Sequence, residues 1–295
     1  MSDTLIEPLL LDPSVEAKAP VVSRRKSTAI GWIRKPGLVI PVLIVLLAIG
    51  FAVAPGFFAS GDPLSGVPAD KLQGPSLAHW FGTDNLGRDL YTRFVHGAAL
   101  SLTATLVAVG IALVAGSIIG LLAGFVGGVV DAVLMRIVDV LLSIPTLLLS
   151  LALVTALGFG TVNVAIAVGV TLIANFARVM RSEVLRVRRS LYVEAAYASG
   201  VRWFDVFRRH ILRNSYGPVI ALAAVEFGMA VLAVSALSFL GFGAVPPTPE
   251  WGSLISEGRN FLATAWWMTT LPGLVIVAVV LSAHRLGHAL ERRSE

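Results

Sequence analysis

Few side chains in this sequence can do acid–base chemistry away from the ends of its apolar runs, and Glu226 is the clearest candidate. It stands alone among acids, well inside an apolar run. A carboxylate inside a membrane span is a functional candidate by default, so Glu226 would hold a proton or a cationic group of a substrate. The alternative, which we favour, is a neutral or hydrogen-bonded glutamate where two subunits meet.

Two histidines near the end of the chain have the spacing of metal ligands. His284 and His288 are four residues apart, and only Glu291 lies near enough to act as a third ligand. Because positive charge is favourable at the C-terminal end of a helix, we interpret both as helix-end histidines. The chain has no cysteine, which excludes disulfides and thiolate metal sites. A membrane-bound hydrolase is disfavoured, because no catalytic triad or zinc cluster falls at one membrane depth.

The sequence offers no site at which the chain could hydrolyse ATP by itself. A phosphate-binding loop needs a lysine directly after a glycine-rich turn. The lysines are Lys18, Lys26, Lys35 and Lys71, and none of them follows such a turn. We therefore predict that the chain is not an enzyme and binds no cofactor or metal. Any energy from ATP has to come from another chain.

The segment of residues 192–214 is polar and rich in arginine, although the whole chain is 56% hydrophobic and only 14% charged. Small residues share one face of a predicted helix there, and Gly200 then breaks that helix. Aromatic residues follow, so the pattern predicts a short helix, a glycine corner and a second short helix. Such a surface needs a partner. One alternative is an amphipathic hairpin that lies on lipid with its arginines toward phosphate.

Apolar runs on either side of this segment have the length of membrane spans, since about 20 apolar residues cross a bilayer core of about 30 Å. We predict an all-α membrane protein with six transmembrane helices and a cytoplasmic loop between helices 4 and 5. The spans are placed at about residues 38–58, 99–126, 132–157, 162–177, 218–240 and 271–290. Residues 1–33 are expected to form a disordered cytoplasmic tail, and residues 34–295 the transmembrane domain.

The distribution of lysine and arginine predicts how these spans are oriented in the membrane, because basic residues are more frequent in cytoplasmic loops. Most of the 23 basic residues lie in the tail, around the segment 192–214 or after the last span. The opposite side would hold only Lys71, Arg88, Arg93 and Arg259. We therefore place both termini in the cytoplasm, together with the arginine-rich segment. This topology explains the net charge of +5, so no nucleic-acid partner is predicted.

Three further patterns concern packing and the external face. Gly116, Gly120 and Gly124 recur every four residues, which lets another helix approach closely, within this chain or where two subunits meet. Arg136 and Asp139 are three apart and are expected to form an ion pair that anchors the third span, near Asp131. The loops 60–96 and 245–266 form the external face. The second loop and its edge carry Pro246, Pro247 and Pro249 together with Trp251, Trp266 and Trp267. We expect some of these aromatic residues at the membrane interface and the others against another protein.

Five motifs in this order and topology resemble the permeases of ATP-binding-cassette (ABC) importers. Glu194-Ala195-Ala196, Gly200 and Ile211-Leu212 resemble the EAA loop, which docks on an ATPase subunit; proline commonly follows the Ile-Leu pair, where this chain has Arg213. Four other motifs resemble the dipeptide, oligopeptide and nickel group: FGTDNLGRD (81–89), MRIVD (135–139), LSFLG (237–241) and PPTPEWG (246–252). The likeness covers residues 74–290 and is closest to the second, or C-type, permease of such systems.

The resemblance implies a permease subunit in the cytoplasmic membrane of a bacterium or archaeon, working by alternating access. Its implied partners are a second permease in a heterodimer, two ATPase subunits that hold ATP and magnesium, an extracytoplasmic substrate-binding protein and the lipid bilayer. Short peptides are the favoured cargo, and nickel, glutathione or an opine are alternatives. A remote alternative is a proton-coupled secondary transporter that uses Glu226, but it has no use for an EAA loop.

The resemblance also assigns site residues. Those of the loop that couples to the ATPase are Tyr192, Glu194, Ala195, Ala196, Gly200, Trp203, Phe204, Phe207, Ile211 and Leu212. Those of the family motif in the external segment are Gly82, Thr83, Asp84, Gly87, Arg88 and Asp89. Glu226 remains a possible residue of the pathway or of a subunit interface.

Overall fold

A computed structural model describes residues 36–294, and this part of the chain is helical with no strand. The predicted tail of residues 1–33 lies outside the described residues. The α-helices are α1 (Pro36–Val53), α2 (Pro55–Phe58), α3 (Leu90–Val126), α4 (Gly128–Ser143), α5 (Thr146–Leu157), α6 (Thr161–Arg188), α7 (Leu191–Ala198), α8 (Trp203–Val206), α9 (Arg213–Phe239), α10 (Trp251–Gly258) and α11 (Trp267–Ser294). Shorter elements are the 3₁₀ turns Pro68–Asp70 and Arg259–Phe261, and the π-helical turn Phe207–Leu212.

Several of these helices are long and apolar enough to cross a bilayer. In the described part of the chain four qualify by length and composition: α3, α6, the run Trp203–Phe239 that contains α9, and α11. A fifth candidate is the pair α4 and α5. Helix α1 is apolar but shorter. The chain is therefore a multi-pass membrane protein, as its apolar runs predict, and the number of six spans stays a prediction.

The third predicted span differs from the single helix expected over residues 132–157. Helices α4 and α5 meet at an angle of 96°, as in a broken span or a re-entrant loop. Ile144, between them, is extended at φ −97° and ψ 130°, and Pro145 follows it. A proline disfavours the helical conformation of the residue before it and cannot donate a backbone hydrogen bond, so the helix ends there.

The glycines repeated every four residues form the interface between α3 and α6. A Cβ atom added at Gly116 would lie 2.5 Å from the Cβ of Phe176, and one at Gly124 would lie 2.8 Å from Cγ1 of Val184. At Gly120 the added atom would meet the carbonyl oxygen of Ala177. Only glycine lets these two backbones come so close. The seam is thus packing within the chain, and another subunit has no room along it.

Candidate functional site

The segment that connects α6 to α9 begins with helix α7, which ends at a left-handed glycine. Gly200 has φ +78°, and its N–H donates to the carbonyl of Tyr197 while the N–H of Val201 donates to that of Ala196. Such bonds satisfy the last carbonyls of a helix and favour glycine, because a Cβ is strained at positive φ. No atom lies within 4 Å of an added Cβ, so Gly200 is required for its conformation and not for space.

The second half of the segment is continuous with the following span. Helix α8 passes through the π-helical turn Phe207–Leu212 into α9, giving one helical run from Trp203 to Phe239. The separate second short helix expected from the pattern is therefore wrong. The run is continuous because Arg213 follows the Ile-Leu pair, so residues 207–213 all keep the backbone donor that a proline would lack.

Buried side chains fix the segment to the rest of the molecule. Val193, Val206 and Ile211 are all fully buried in the main hydrophobic core. The ring of Phe125, at the end of α3, lies 4.5 Å from that of Trp203 and 4.6 Å from that of Phe207, between centroids. These contacts make the segment part of the folded body and join it to α3.

The opposite side of the segment is an exposed apolar surface, which we call the coupling surface. Trp203 is 58% exposed and Phe204 is 60% exposed, and Tyr192 is also exposed. The predicted coupling residues separate into two groups. Those exposed are Tyr192, Glu194, Ala195, Gly200, Trp203, Phe204 and Leu212, whereas Ala196 and Phe207 are partly buried and Ile211 is buried. Ile211 therefore packs in the core and holds the segment in place, and it is not part of the exposed surface.

Two exposed residues of the coupling surface were missed by sequence reasoning. Leu191 and Tyr197 flank the predicted residues of α7 and are exposed to solvent. A helical wheel through α7 contains the signal, because Val193 is the only fully buried residue of this helix and the other faces remain open. Four exposed arginines surround the surface: Arg202, Arg208, Arg209 and Arg213.

Ion pairs at the start of α4 differ from the pairing expected between Arg136 and Asp139. Arg178 donates to Asp139 at 2.7 Å, and Arg181 donates to both carboxylate oxygens of Asp131 at 2.5 and 2.6 Å. Arg136 is exposed and does not pair with Asp139. The pairs therefore tie α4 to the adjacent α6 instead of forming within α4, which places the start of the bent pair of helices against the end of a span.

The motif of residues 81–89 folds into a tight turn that begins α3. Gly82 and Gly87 have φ values of +74° and +75°. The Thr83 hydroxyl accepts from the backbone N–H of Gln73 at 2.9 Å and donates to the Asp70 carbonyl. Asp89 caps α3 by accepting from the N–H of Thr92 at 2.7 Å. These motif residues build a loop; none of them lies on the coupling surface.

A buried network of two arginines and two acids holds this loop against α10. Arg93 is fully buried and donates to Asp84 Oδ2 at 2.9 Å and to Glu257 Oε2 at 2.5 Å. Arg88 donates to the same two oxygens at 2.6 and 3.0 Å. Sequence reasoning assigned Asp84 and Arg88 to a motif but missed Arg93 and Glu257, because Glu257 is far away in sequence and carries no motif of its own.

The second half of the motif 246–252, from Pro249 onward, faces the protein interior, whereas Pro246 and Pro247 are exposed. Trp251 is fully buried, stacks on Phe94 with centroids 5.0 Å apart, and donates from Nε1 to the Phe94 carbonyl. Glu250 is buried and accepts from the Ser238 hydroxyl at 2.7 Å. The expectation that these tryptophans lie at the membrane interface or against a partner is wrong for Trp251 and for the mostly buried Trp267. It remains open for Trp266, which is 51% exposed.

Glu226 lies inside the chain, in contact with α6. Its side chain is 8% exposed, and its Oε1 accepts a hydrogen bond from Nδ2 of Asn175 at 2.9 Å. His284 and His288 contact each other through their Nε2 atoms at 3.0 Å, and Nδ1 of His288 lies 3.1 Å from Glu291. Within residues 36–294, no group of three or more histidine or acidic side chains could hold a metal ion.

Comparison with known proteins gives consistent matches. Residues 116–295 match the family described as binding-protein-dependent transport system inner membrane component. A dipeptide transport system permease, DppC of Alkalihalophilus pseudofirmus, is 41% identical over 254 residues, which is 86% of this chain and 82% of the relative. A probable D,D-dipeptide transport system permease, DdpC of Escherichia coli K12, is 37% identical over 84% of this chain and 83% of its own length.

A glutathione transport system permease, GsiD of Pectobacterium atrosepticum, is 36% identical and covers 93% of both chains. Among solved structures, an inward-facing MetNI methionine ABC transporter superposes with a TM-score of 0.57 at 18% identity. The superposition covers 69% of this chain and 96% of the other. This structural likeness supports the fold, whereas the assignment to a family rests on the sequence matches.

Proposed function

The chain belongs to the family of binding-protein-dependent transport system inner membrane components, and we propose that it forms the pathway by which an ABC importer takes up short peptides. It is a permease subunit of such an importer. The relatives are named for dipeptides, D,D-dipeptides and glutathione, which are all short peptides, and this common chemistry supports the cargo. Nickel and opines remain alternatives that these names do not favour.

The proposed mechanism rests on one observation, the exposed aromatic side chains of the coupling surface. Trp203 and Phe204 are large apolar side chains exposed on a segment whose arginines place it outside the hydrocarbon of the bilayer. Exposed aromatic side chains on a segment that is itself packed into the core are typical of a protein–protein contact. We propose that an ATPase subunit, which holds ATP and magnesium, covers this surface. Glu194 is an exposed acid on α7, and it would help to set the orientation of that partner.

The continuous helix from Trp203 to Phe239 supports a route for the mechanical signal. A displacement of Trp203 and Phe204 acts on the end of a helical run that continues into the span. Gly200 separates this run from α7, so the corner can absorb a change of angle between them. A transition of this kind needs contacts that differ between two states, and the ATPase contact supplies that difference.

The remaining parts of the proposal concern topology and assembly. We place both termini and the coupling surface in the cytoplasm of a bacterium or archaeon, with six spans that include α1 and the bent pair α4 and α5. A second permease would complete the pathway, and a second ATPase would act on that permease. The external loops held by the Arg93 network would face a substrate-binding protein, which would deliver the peptide.

Purification of the chain in mild detergent from its native membrane, followed by mass spectrometry, tests the proposal. We expect an ATPase with a phosphate-binding loop to copurify with the wild type. Phe204→Ala should lose at least about 90% of it, because a truncated hot-spot residue costs 2 kcal/mol or more and 1.4 kcal/mol is tenfold in affinity. Trp266→Ala is the matched control, because it truncates an aromatic side chain of similar exposure on the external side.

The outcome also separates the alternatives. Retention of the ATPase by Phe204→Ala at the wild-type level would place the contact elsewhere on the chain. Absence of any ATPase from a folded wild-type sample would favour the proton-coupled carrier that uses Glu226. The substrate-binding protein that copurifies, or that is restored by addition, can be loaded with candidate di- and tripeptides to identify the cargo.

A further inference from the structure

The strongest unassigned feature is the polar pair inside the membrane-spanning helices. Asn175 lies midway along α6 (Thr161–Arg188), and Glu226 lies midway along α9 (Arg213–Phe239). Asn175 is three residues before Arg178, at the end of the predicted span 162–177, and Glu226 lies within the predicted span 218–240, so the two side chains meet inside the membrane-spanning helices, toward the end that carries the arginines. Their hydrogen bond is 2.9 Å long from Nδ2 to Oε1. It joins α6 to α9 through two residues that are 51 positions apart in the sequence.

Glu226 faces the core of the chain. It lies on the same stripe of α9 as Val219 and Ala230, which are both buried in the main core. Within residues 36–294 no cationic side chain forms an ion pair with it. The partner of Glu226 is the neutral amide of Asn175, so what the structure provides is a hydrogen-bond acceptor. A polar residue at this depth is expensive and is retained for a purpose.

The two helices that the pair joins are also the two helices that the coupling segment connects. Helix α6 leads into α7, and the run from Trp203 leads back into α9. The two helices are therefore connected at two places: by the coupling segment at their ends and by this hydrogen bond within their spans. A hydrogen bond has a defined length and direction, so it restricts the relative position of the two helices more than an apolar contact does.

We propose that the Asn175–Glu226 hydrogen bond is a clamp that makes α6 and α9 move as one body when the coupling segment is displaced. The inference rests on the proposed function, because it assigns Asn175 and Glu226 to the transmission of that displacement. Both are positioning residues, which contact neither cargo nor nucleotide. The clamp needs an acceptor at Oε1 and no charge, which separates it from a Glu226 that binds a proton or a cationic substrate group.

Three variants test the clamp in the complete transporter, reconstituted with its partner permease, ATPases and binding protein. Glu226→Gln keeps an amide oxygen as the acceptor and removes the acid. Asn175→Leu and Glu226→Leu remove the bond from either side with little change of volume. The readout is the number of ATP molecules hydrolysed per substrate imported, because a variant that only folds less well lowers both rates together and leaves their ratio unchanged.

We expect Glu226→Gln to keep this ratio within about twofold of the wild type, because the coupling contribution of one intact bond is preserved. Both leucine variants should raise it by about fivefold or more while ATP hydrolysis continues, since allosteric couplings are commonly 5- to 150-fold. A wild-type ratio in both leucine variants would overturn the proposal. So would a Glu226→Gln transporter as uncoupled as Glu226→Leu, because Glu226 would then act through its acid.

A distance measurement gives a second test that does not depend on transport. The chain has no cysteine, so spin labels can be placed at Ser182→Cys near the end of α6 and Tyr216→Cys near the start of α9, both of which are exposed. The clamp predicts one distance that does not change between nucleotide-free and ATP-bound transporter. In Asn175→Leu the distance should broaden or shift on ATP binding. A shift in the otherwise wild-type labelled transporter as large as that in the variant would refute the clamp.

Failure of the clamp and failure of the proposed function give different results. If the wild-type complex shows no ATP hydrolysis that depends on the binding protein, the proposed function fails before any variant is compared. If the wild type imports peptide and every variant keeps its ratio and its distance, the permease function holds and only the clamp is wrong.

Discussion

Replacing Arg93 by methionine removes a side chain that joins the loop of residues 81–89 to α10. Arg93 donates to Asp84 and to both oxygens of Glu257, at 2.9, 2.5 and 3.1 Å, and is fully buried. Methionine has a similar apolar stem, so the change chiefly removes the charge and its hydrogen bonds. Arg88 would then be the only cation bonded to both Asp84 and Glu257, so the buried Asp84 would lose half of its compensating charge.

The expected magnitude follows from this geometry. Removing one partner of a buried ion pair costs about 3–5 kcal/mol, because a buried charge is left without compensation. The Glu257 side chain is 22% exposed and water can reach it, so the lower end, about 3 kcal/mol, applies. With an unfolding entropy of about 2.1 cal/mol/K per residue, each kcal/mol lowers the Tm of a 295-residue chain by about 1.6 °C, so the fall in Tm should be about 5 °C.

Thermal unfolding of the purified chain in one detergent, followed by intrinsic tryptophan fluorescence, measures this change. The fluorescence reports on the right region, because Trp251 stacks on Phe94 one residue beyond Arg93. Arg259→Met is the control, since Arg259 is an exposed arginine just after α10. It should change Tm by less than about 2 °C, as expected for a surface substitution within about 0.5 kcal/mol.

The same variant should keep its ATPase partner, because the network and the coupling surface lie at opposite ends of the helices. An Arg93→Met protein whose Tm equals that of the wild type would show that the network contributes nothing to stability. A fall in Tm accompanied by loss of the ATPase would show that the two ends of the molecule are not independent.

Two further predictions concern glycines. Gly120→Leu should abolish accumulation of folded protein in the membrane, because its side chain would meet the Ala177 carbonyl and overpacking costs about 3 kcal/mol or more against backbone. Gly110→Leu, on the same helix with no atom within 4 Å, should accumulate normally in a quantitative membrane blot, and equal levels of the two would refute the seam. Gly200→Ala should weaken ATPase copurification because φ is +78° there, and the cost of about 1–2 kcal/mol corresponds to about tenfold. Gly200→Asn, which tolerates this conformation better, should retain more ATPase than Gly200→Ala, and the reverse order would contradict a conformational role for Gly200.

The permease family and the helical, membrane-spanning character of this protein are determined by the sequence alone. A bilayer core offers no hydrogen-bond partner to the backbone, so long apolar runs must form helices whatever their neighbours are. The seam of Gly116, Gly120 and Gly124 was also visible, because small residues repeated along one helix face predict close approach. The position of Gly200 at a corner follows from local chemistry in the same way.

Other features depend on residues far apart in sequence, and only the tertiary structure decided them. Asp139 pairs with Arg178 on another helix because packing brings α4 to α6, whereas local spacing favoured Arg136. Trp251 is buried because Phe94 offers a ring to stack on, and composition alone favoured the membrane interface. Glu226 likewise appeared alone in its span until folding placed Asn175 beside it. Local patterns determine which elements form; which of their faces meet depends on the shape and packing of the whole chain.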